Sequence, residues 1–333
     1  MQPGTISITE LIQALNDTET PLAPRYLYRL SDLEGSELQQ VQQAWKGMAD
    51  WRRKALLEDL EELGEKNDLL SFEAIARLAV DDADAQVRIC ALRILWEFEG
   101  RDLVSIYTHL LEKDQEVEVR AEAAANLGKY VLAGELDELP ARMLTDIVNR
   151  LLKVMQSPES PVVQQQTLES LGYSSRKEVA ALIRKAYASS QADWKASALA
   201  AMGHSANETW STQVIESLDN ANPRVRLEAV RSAGELELKK SSDHLLELLD
   251  DPDDDVRQAA IWSLAQTGGS GVRMTLERLL DENEDDDEQS LLEDALELLT
   301  FTEETDNLLL LDLDEFEDDD ESDEDEEIGE EQD

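Results

Sequence analysis

One phrase recurs along this chain, and its spacing constrains the fold more than any other feature. The phrase has an apolar residue, a basic residue, several small or apolar residues and a leucine, often followed by glycine. Successive copies are 35, 32, 44, 31, 31, 31 and 35 residues apart. A nearly fixed period in this range predicts a solenoid of two-helix units. The basic position falls on Arg53, Arg88, Arg120, Gln164, Lys195, Arg226, Arg257 and, in a degenerate copy, Leu292.

Each copy has the pattern of a helix with a defined start. In VRLEAVRSAG (225–234), for example, apolar residues follow the i, i+1, i+4 spacing that defines one buried helix face. Asn222 and Pro223 precede it, as expected for an N-cap and a first helical turn. A second amphipathic segment, such as DHLLELLDD (243–251), lies between successive copies. Each hairpin of two such helices needs its neighbours to cover its apolar face.

The pattern predicts an all-α, right-handed α-solenoid of about eight or nine helical hairpins. Residues 1–49 are less periodic and predict an atypical N-terminal helical cap. Residues 50–311 form the predicted solenoid, and the interval of 44 marks an insertion near 129–144. Residues 312–333 hold 16 acidic residues and predict a disordered acidic tail, since they cannot bury enough apolar surface to fold.

The phrases VRICALRILW (87–96) and VRQAAIWSLA (256–265) resemble HEAT repeats, and their short period resembles the subclass named after phycobilisome lyases. The resemblance implies a helical solenoid, but the family includes scaffolds, adaptors and a few enzymes. It also implies that the basic position is structural and bonds to loop carbonyls and to an aspartate of the preceding loop. The alternative is a row of cations that binds an anionic ligand. The predicted structural ladder comprises Arg88, Arg120, Lys195, Arg226 and Arg257.

Charge is distributed unevenly along the chain. The formal charge is −46, and residues 279–333 hold 29 Asp or Glu with no Lys or Arg. Residues 1–278 hold 30 basic and 47 acidic residues, a formal charge of −17. Such a field attracts basic proteins and repels nucleic-acid phosphate and anionic lipid. We therefore expect a basic protein partner, no direct binding of nucleic acid and no membrane binding.

Residues for catalysis or for a protein-bound metal are scarce. The three histidines, His109, His204 and His244, lie on different segments, and none is followed by glutamate. The paired His-Glu motifs of hydroxylases built from HEAT-like repeats are absent, and no Cys/His spacing suits zinc. Cys90 lies within a repeat phrase and is expected to pack as a small apolar residue. We therefore expect no enzyme activity, no cofactor and no metal.

Two further features concern the location of the protein. The first residues, MQPGTISITELIQALN, lack a basic region followed by an apolar stretch, so no signal peptide is expected. No apolar run approaches the length of a membrane span. The sequence therefore predicts a cytoplasmic protein. It does not indicate an oligomeric state.

A set of exposed positions forms the candidate partner-binding surface. Trp262 stands in the repeat column of Arg93, Ala125, Glu169, Ala200 and Arg231, which is expected to face the concave side of a solenoid. Aromatic and arginine side chains are common anchors of protein interfaces. The predicted partner-binding residues are Trp262, Arg231, Glu228, Glu169, Glu122 and Phe316.

Three functions are compatible with these features. The first is a non-catalytic protein-interaction scaffold or adaptor, which needs only an accessible solenoid surface. The second is an acidic chaperone or nucleic-acid mimic that acts through residues 312–333. The third, a lyase-like or other enzyme of the family, rests on the resemblance alone. The sequence favours the scaffold.

Overall fold

The computed structural model describes the backbone of residues 6–320 and the side chains of residues 6–305. The chain divides into two units, residues 1–176 and 177–333. Within residues 6–320, all regular secondary structure is helical. The predicted all-α fold of helical hairpins is therefore confirmed.

Unit 1 begins with three short helices and then forms hairpins. Helix α1 packs on α3, and α2 packs on α4. The pairs α5/α6, α7/α8 and α9/α10 form hairpins. Their second helices continue a row that α4 begins, in the order α4, α6, α8, α10. The helices are α1 (Ile8–Asn16), α2 (Pro24–Tyr28), α3 (Gly35–Trp45), α4 (Asp50–Glu65), α5 (Glu73–Ala79), α6 (Ala85–Leu95), α7 (Leu103–Lys113), α8 (Val117–Glu135), α9 (Ala141–Gln156) and α10 (Pro161–Gly172).

Unit 2 repeats the same plan four times. Its hairpins are α11/α12, α13/α14, α15/α16 and α17/α18, and the second helices pack in the order α12, α14, α16, α18. With α4, α6, α8 and α10 of unit 1, the described residues hold eight second helices, one for each copy of the phrase. The helices are α11 (Lys177–Tyr187), α12 (Ala192–His204), α13 (Ser211–Ser217), α14 (Pro223–Glu235), α15 (Ser242–Glu247), α16 (Asp254–Thr267), α17 (Val272–Glu282) and α18 (Asp286–Asp320).

Side-chain caps start several of the second helices. Asp84 accepts hydrogen bonds from the backbone N–H groups of Gln86 and Val87 at 2.8 and 3.3 Å. Asn222 and Asp253 cap α14 and α16 in the same way. These bonds satisfy amide donors that have no partner inside the helix.

Neighbouring second helices approach closely because the repeat places a glycine next to a serine of the following helix. The Ser263 hydroxyl donates to the carbonyl of Val230 at 2.9 Å. A Cβ atom at Gly234 would lie 3.0 Å from the Cα atom of Ser263, a backbone atom that cannot rotate away. Gly203 meets the Cα atom of Ser232 at the same distance. The glycine that ends the phrase is therefore required for packing within unit 2.

The insertion predicted near 129–144 lies where the helices of unit 1 are longest. Helix α8 has 19 residues and α9 has 16 residues. The turn between them includes Asp137, which has a positive φ of 63°. The added residues therefore lie in the end of α8, the turn and the start of α9, and do not form a separate element.

The last helix extends into the segment that was predicted to be a disordered tail. Helix α18 ends at Asp320, so residues 312–320 continue it. This stretch contains no glycine or proline to end a helix. Residues 321–333 lie outside the described residues, as does the side chain of Phe316.

Candidate functional site

The repeat arginines of the ladder contact loops and are engaged in the fold. Arg88 donates from Nε and Nη2 to both carboxylate oxygens of Asp114 at 2.8 Å, and from Nη1 to the carbonyls of Asp82 and Ala83. The Asp114 carboxylate lies in the loop of the following hairpin, between α7 and α8. Arg88 therefore joins its own loop to the next one.

The same arrangement recurs in both units. Arg120 bonds to the Glu159 carboxylate, and Arg226 bonds to the Asp251 carboxylate at 2.7 and 2.8 Å. Arg257 donates to the Asp251 carbonyl at 2.7 Å and pairs with Asp254.

Two copies that carry another polar residue here depart from this pattern. Gln164 reaches only carbonyl oxygens, and the Lys195 ammonium lies 5.1 Å from the centroid of the Tyr187 ring. Where arginine is present, its guanidinium bonds to loop carbonyls and carboxylates.

The bond to an aspartate of the preceding loop, which the resemblance implies, is not formed at Arg88. Asp84, four residues before it, caps the start of α6 instead. Arg88 takes its carboxylate from the following loop and not from the preceding one. A carboxylate in the next hairpin is better placed for both guanidinium N–H groups, whereas Asp84 is already used by backbone amides.

In each unit the second helices present a set of accessible positions, and we call the two sets together the second-helix face. It consists of the column predicted from the repeat, and each of its members is exposed or half-buried: Arg93, Ala125, Glu169, Ala200, Arg231 and Trp262. Two clusters lie on this face, one in each unit.

The unit 2 cluster brings together three predicted residues and one that was not predicted. Arg231 donates to Glu228 at 3.0 Å on α14. Arg231, Glu235 and Trp262 line a common open cavity of 340 Å³ between α14 and α16. Trp262 is 42% exposed, so it is available to a partner.

The carboxylates of the unit 2 cluster are partly withdrawn from water. Burial raises the pKa of Glu228, although Arg231 opposes the shift. Burial, together with the nearby charge of Glu228, raises the pKa of Glu235 to about 7. His204 Nε2 lies 3.9 Å from the Glu235 carboxylate. The cluster therefore holds two desolvated carboxylates that gain from an additional cation.

The unit 1 cluster has a similar plan. Arg93 stands between Glu61 of α4 and Glu122 of α8, with N–O distances of 3.8 and 4.0 Å. Burial raises the pKa of both carboxylates, and Arg93 opposes the shift. These side chains line an open cavity of 690 Å³. Its apolar wall includes Trp96.

Of the other predicted residues, Glu169 lies apart from these clusters and Glu122 lies in one of them. Glu169 is on α10 and accepts a hydrogen bond from Gln166 at 2.9 Å. Glu122 belongs to the unit 1 cluster and was predicted, whereas its companions Glu61 and Arg93 were not proposed as binding residues. Glu235 was also missed, although its spacing on α14, seven residues after Glu228 and four after Arg231, places all three on one helix face.

Cys90 packs in the core of unit 1. Its side chain is buried, and burial raises the pKa of its thiol to about 11. Among the side chains of residues 6–305, no three His, Cys, Asp or Glu groups are close enough together to hold a metal ion. None of the described helices has both the length and the apolar content needed to cross a membrane.

Comparison with known proteins identifies the repeat but not the partner. Residues 211–297, all in unit 2, match the family described as HEAT repeats. No curated protein matches the chain.

Several solved structures are similar over most of the chain. The Escherichia coli protein YibA is 16% identical over 85% of this chain and 99% of its own, with a TM-score of 0.41. Human deoxyhypusine hydroxylase is 18% identical over 78% and 95%, with a TM-score of 0.35. The complex of CpcE and CpcF of phycocyanin lyase from Nostoc sp. PCC7120 is 17% identical over 69% and 94%, with a TM-score of 0.44.

At these identities and scores, the similarity does not extend to an activity or a partner. Residues 211–297 therefore match HEAT repeats, and the repeat phrase and the hairpins of both units follow the same plan in the other described helices.

Proposed function

We propose that this protein is a non-catalytic scaffold that binds a basic protein through its second-helix face. The observation that supports this most strongly is the unit 2 cluster. There, the half-buried carboxylate of Glu228 pairs with Arg231, and Glu235, whose pKa is raised to about 7, lines the same cavity as the exposed side chain of Trp262. A partner cation would compensate these carboxylates, and Trp262 would supply an apolar anchor.

The overall charge supports the same class of partner. Residues 1–278 carry −17 and the whole chain carries −46, so a basic protein is attracted over several ångströms before contact. The same field disfavours nucleic acid as a direct ligand. Binding should therefore weaken as salt concentration rises. The cytoplasmic location stays a prediction.

The proposal is tested by capturing partners from a native lysate on the full chain and titrating the most abundant captured protein. Trp262→Ala is compared with Trp51→Ala, because both rings are exposed, by 42% and 54%, and Trp51 lies at the start of α4, away from the unit 2 cluster. We expect Trp262→Ala to weaken binding by roughly tenfold or more, as for an interface anchor. Trp51→Ala should leave the affinity unchanged.

Two results would contradict this function. One is capture of predominantly acidic proteins. The other is an affinity that Trp262→Ala leaves intact. A version of the chain that ends at Leu311 provides a further test. Complete loss of binding in this version alone would favour an acidic chaperone or nucleic-acid mimic that acts through the C-terminal segment.

A further inference from the structure

The unit 1 cavity differs from the bidentate ladder pairs in how loosely its charges are paired. Arg93 lies 3.8 Å from Glu61 and 4.0 Å from Glu122, beyond hydrogen-bond distance. The ladder pair of Arg226 and Asp251, by contrast, closes to 2.7 Å. Within the described part of the chain, the Glu61 and Glu122 carboxylates therefore face the cavity with unused hydrogen-bond capacity.

These carboxylates are also partly desolvated. The side chains of Glu61 and Glu122 are only 21% and 28% exposed. Burial raises the pKa of each carboxylate, because holding the negative charge there costs free energy. A second cation placed between them would reduce that cost and complete their hydrogen bonding.

The remaining walls of the cavity fit a cation that also has an apolar stem. Half-buried or exposed apolar side chains, Leu70, Trp96 and Phe98, line it beside the acidic groups. The rim adds Glu65, Asp68 and Glu97, and Arg93 is the one cation in the lining. The volume of 690 Å³ falls within the usual range for ligand pockets.

We propose that the unit 1 cavity receives an arginine side chain of a basic protein partner, whose guanidinium binds between Glu61 and Glu122 while its stem lies against the apolar wall. This inference rests on the proposed function for the identity of the partner. Arginine fits better than lysine because its planar, weakly hydrated guanidinium donates to two carboxylates at once. Its methylene stem also covers apolar surface, as long cationic side chains commonly do.

The experiment uses the full chain and N-acetyl-arginine N-methylamide as the probe. The indole N–H resonance of Trp96 is followed in two-dimensional ¹H–¹⁵N spectra and assigned with Trp96→Phe. The lysine and citrulline analogues are titrated in parallel. Glu61→Gln/Glu122→Gln is compared with Glu58→Gln/Glu118→Gln, which removes the same charge from exposed positions on the same two helices, α4 and α8.

We expect a saturable shift of the Trp96 resonance with the arginine probe, weaker binding of the lysine analogue and no binding of the neutral citrulline analogue. Glu61→Gln/Glu122→Gln should lower the affinity for the arginine probe by about tenfold, because it removes two charge-assisted hydrogen bonds. Glu58→Gln/Glu118→Gln should not weaken it. The proposal is overturned if both double variants lose affinity equally, if lysine binds as tightly as arginine, or if no saturable shift occurs.

The two proposals fail separately. The arginine titration needs no protein partner, so a saturable, glutamate-dependent shift supports the cavity even if Trp262→Ala leaves partner binding intact. If Trp262→Ala weakens the captured partner while the arginine probe produces no shift, the proposed function stands and the arginine pocket is rejected.

Discussion

Arg226 and Asp251 join two successive hairpins of unit 2 through a bidentate ion pair. The guanidinium donates from Nε and Nη2 at 2.8 and 2.7 Å, and the side chains are only 12% and 4% exposed. The hydrogen bonds from Arg226 hold the pKa of Asp251 below its ordinary value, although burial opposes the shift. Arg226 also donates to the carbonyl of Asn220, so one side chain fixes two loops.

The equivalent pair in unit 1, Arg88 with Asp114, should be strongly coupled. Removing one partner leaves a buried charge uncompensated, so Arg88→Ala should lower the free energy of unfolding by about 3 kcal/mol. A double-mutant cycle with Asp114→Ala, followed by urea unfolding, should give a coupling free energy above ~1 kcal/mol. The exposed pair of Lys54 and Glu58, at 3.7 Å, is the control and should give at most about 0.5 kcal/mol. Equal coupling in both cycles would show that the ladder has no special structural role.

In unit 2, substitution of a glycine that ends a repeat phrase should destabilise the fold. In Gly234→Ala the new Cβ atom meets the Cα atom of Ser263 at 3.0 Å, so α14 and α16 must separate. We expect a loss of about 1–3 kcal/mol in the free energy of unfolding. Gly64→Ala is the matched control, since its Cβ atom meets only the Phe72 ring at 3.7 Å. It should be neutral or stabilising, as alanine favours the helix.

Stability should depend on pH through Glu235. Because the folded state raises the pKa of Glu235 from 4.5 to about 7, the folded chain binds this proton more tightly than the unfolded chain. Its stabilising contribution is complete below the unfolded pKa and is lost as the pH rises through about 7. Wild-type protein should therefore lose stability relative to Glu235→Gln between pH 5 and pH 8, measured as urea midpoints. A difference that stays constant, or that reverses, would contradict the assigned environment.

The reaction rate of the Cys90 thiol should report unfolding of the protein. This thiol is buried and its pKa is raised to about 11, chiefly by that burial. At pH 8 the folded protein should react with a thiol reagent at least about a hundredfold more slowly than the protein in urea, because little accessible thiolate exists. Rapid reaction of the folded protein would show that the helices packed on α6 leave this side chain accessible.

Much of the fold was predictable because each repeat carries its own periodic signal. The eight copies of the phrase located the second helices, and Asn222 located the start of α14. The partner of each arginine was not predictable in this way. Sequence spacing shows neighbours within one helix, such as Asp84 and Arg88, whereas Asp114 lies 26 residues away in the next loop.

The clusters were predictable only in part, for the same reason. Trp262, Arg231 and Glu228 followed from the exposed column and its helix faces. The pairing of Arg93 with Glu61 and Glu122 depends on how α4, α6 and α8 pack side by side, which no single helix encodes. Burial of these carboxylates, which gives the cavity its preference for a cation, also arises only from that packing.

In the proposed function, the residues that build the solenoid differ from those that bind the partner. One measurement tests this difference most directly. The free energy of unfolding and the affinity for the captured basic protein are determined together for Arg226→Ala and Trp262→Ala. The account predicts that Arg226→Ala loses about 3 kcal/mol of stability and keeps its affinity, since a buried charge pair is broken away from the second-helix face. Trp262→Ala should keep its stability within about 1 kcal/mol and lose roughly tenfold or more in affinity. Loss of affinity in Arg226→Ala without loss of stability would contradict the account, because the ladder would then be the binding site.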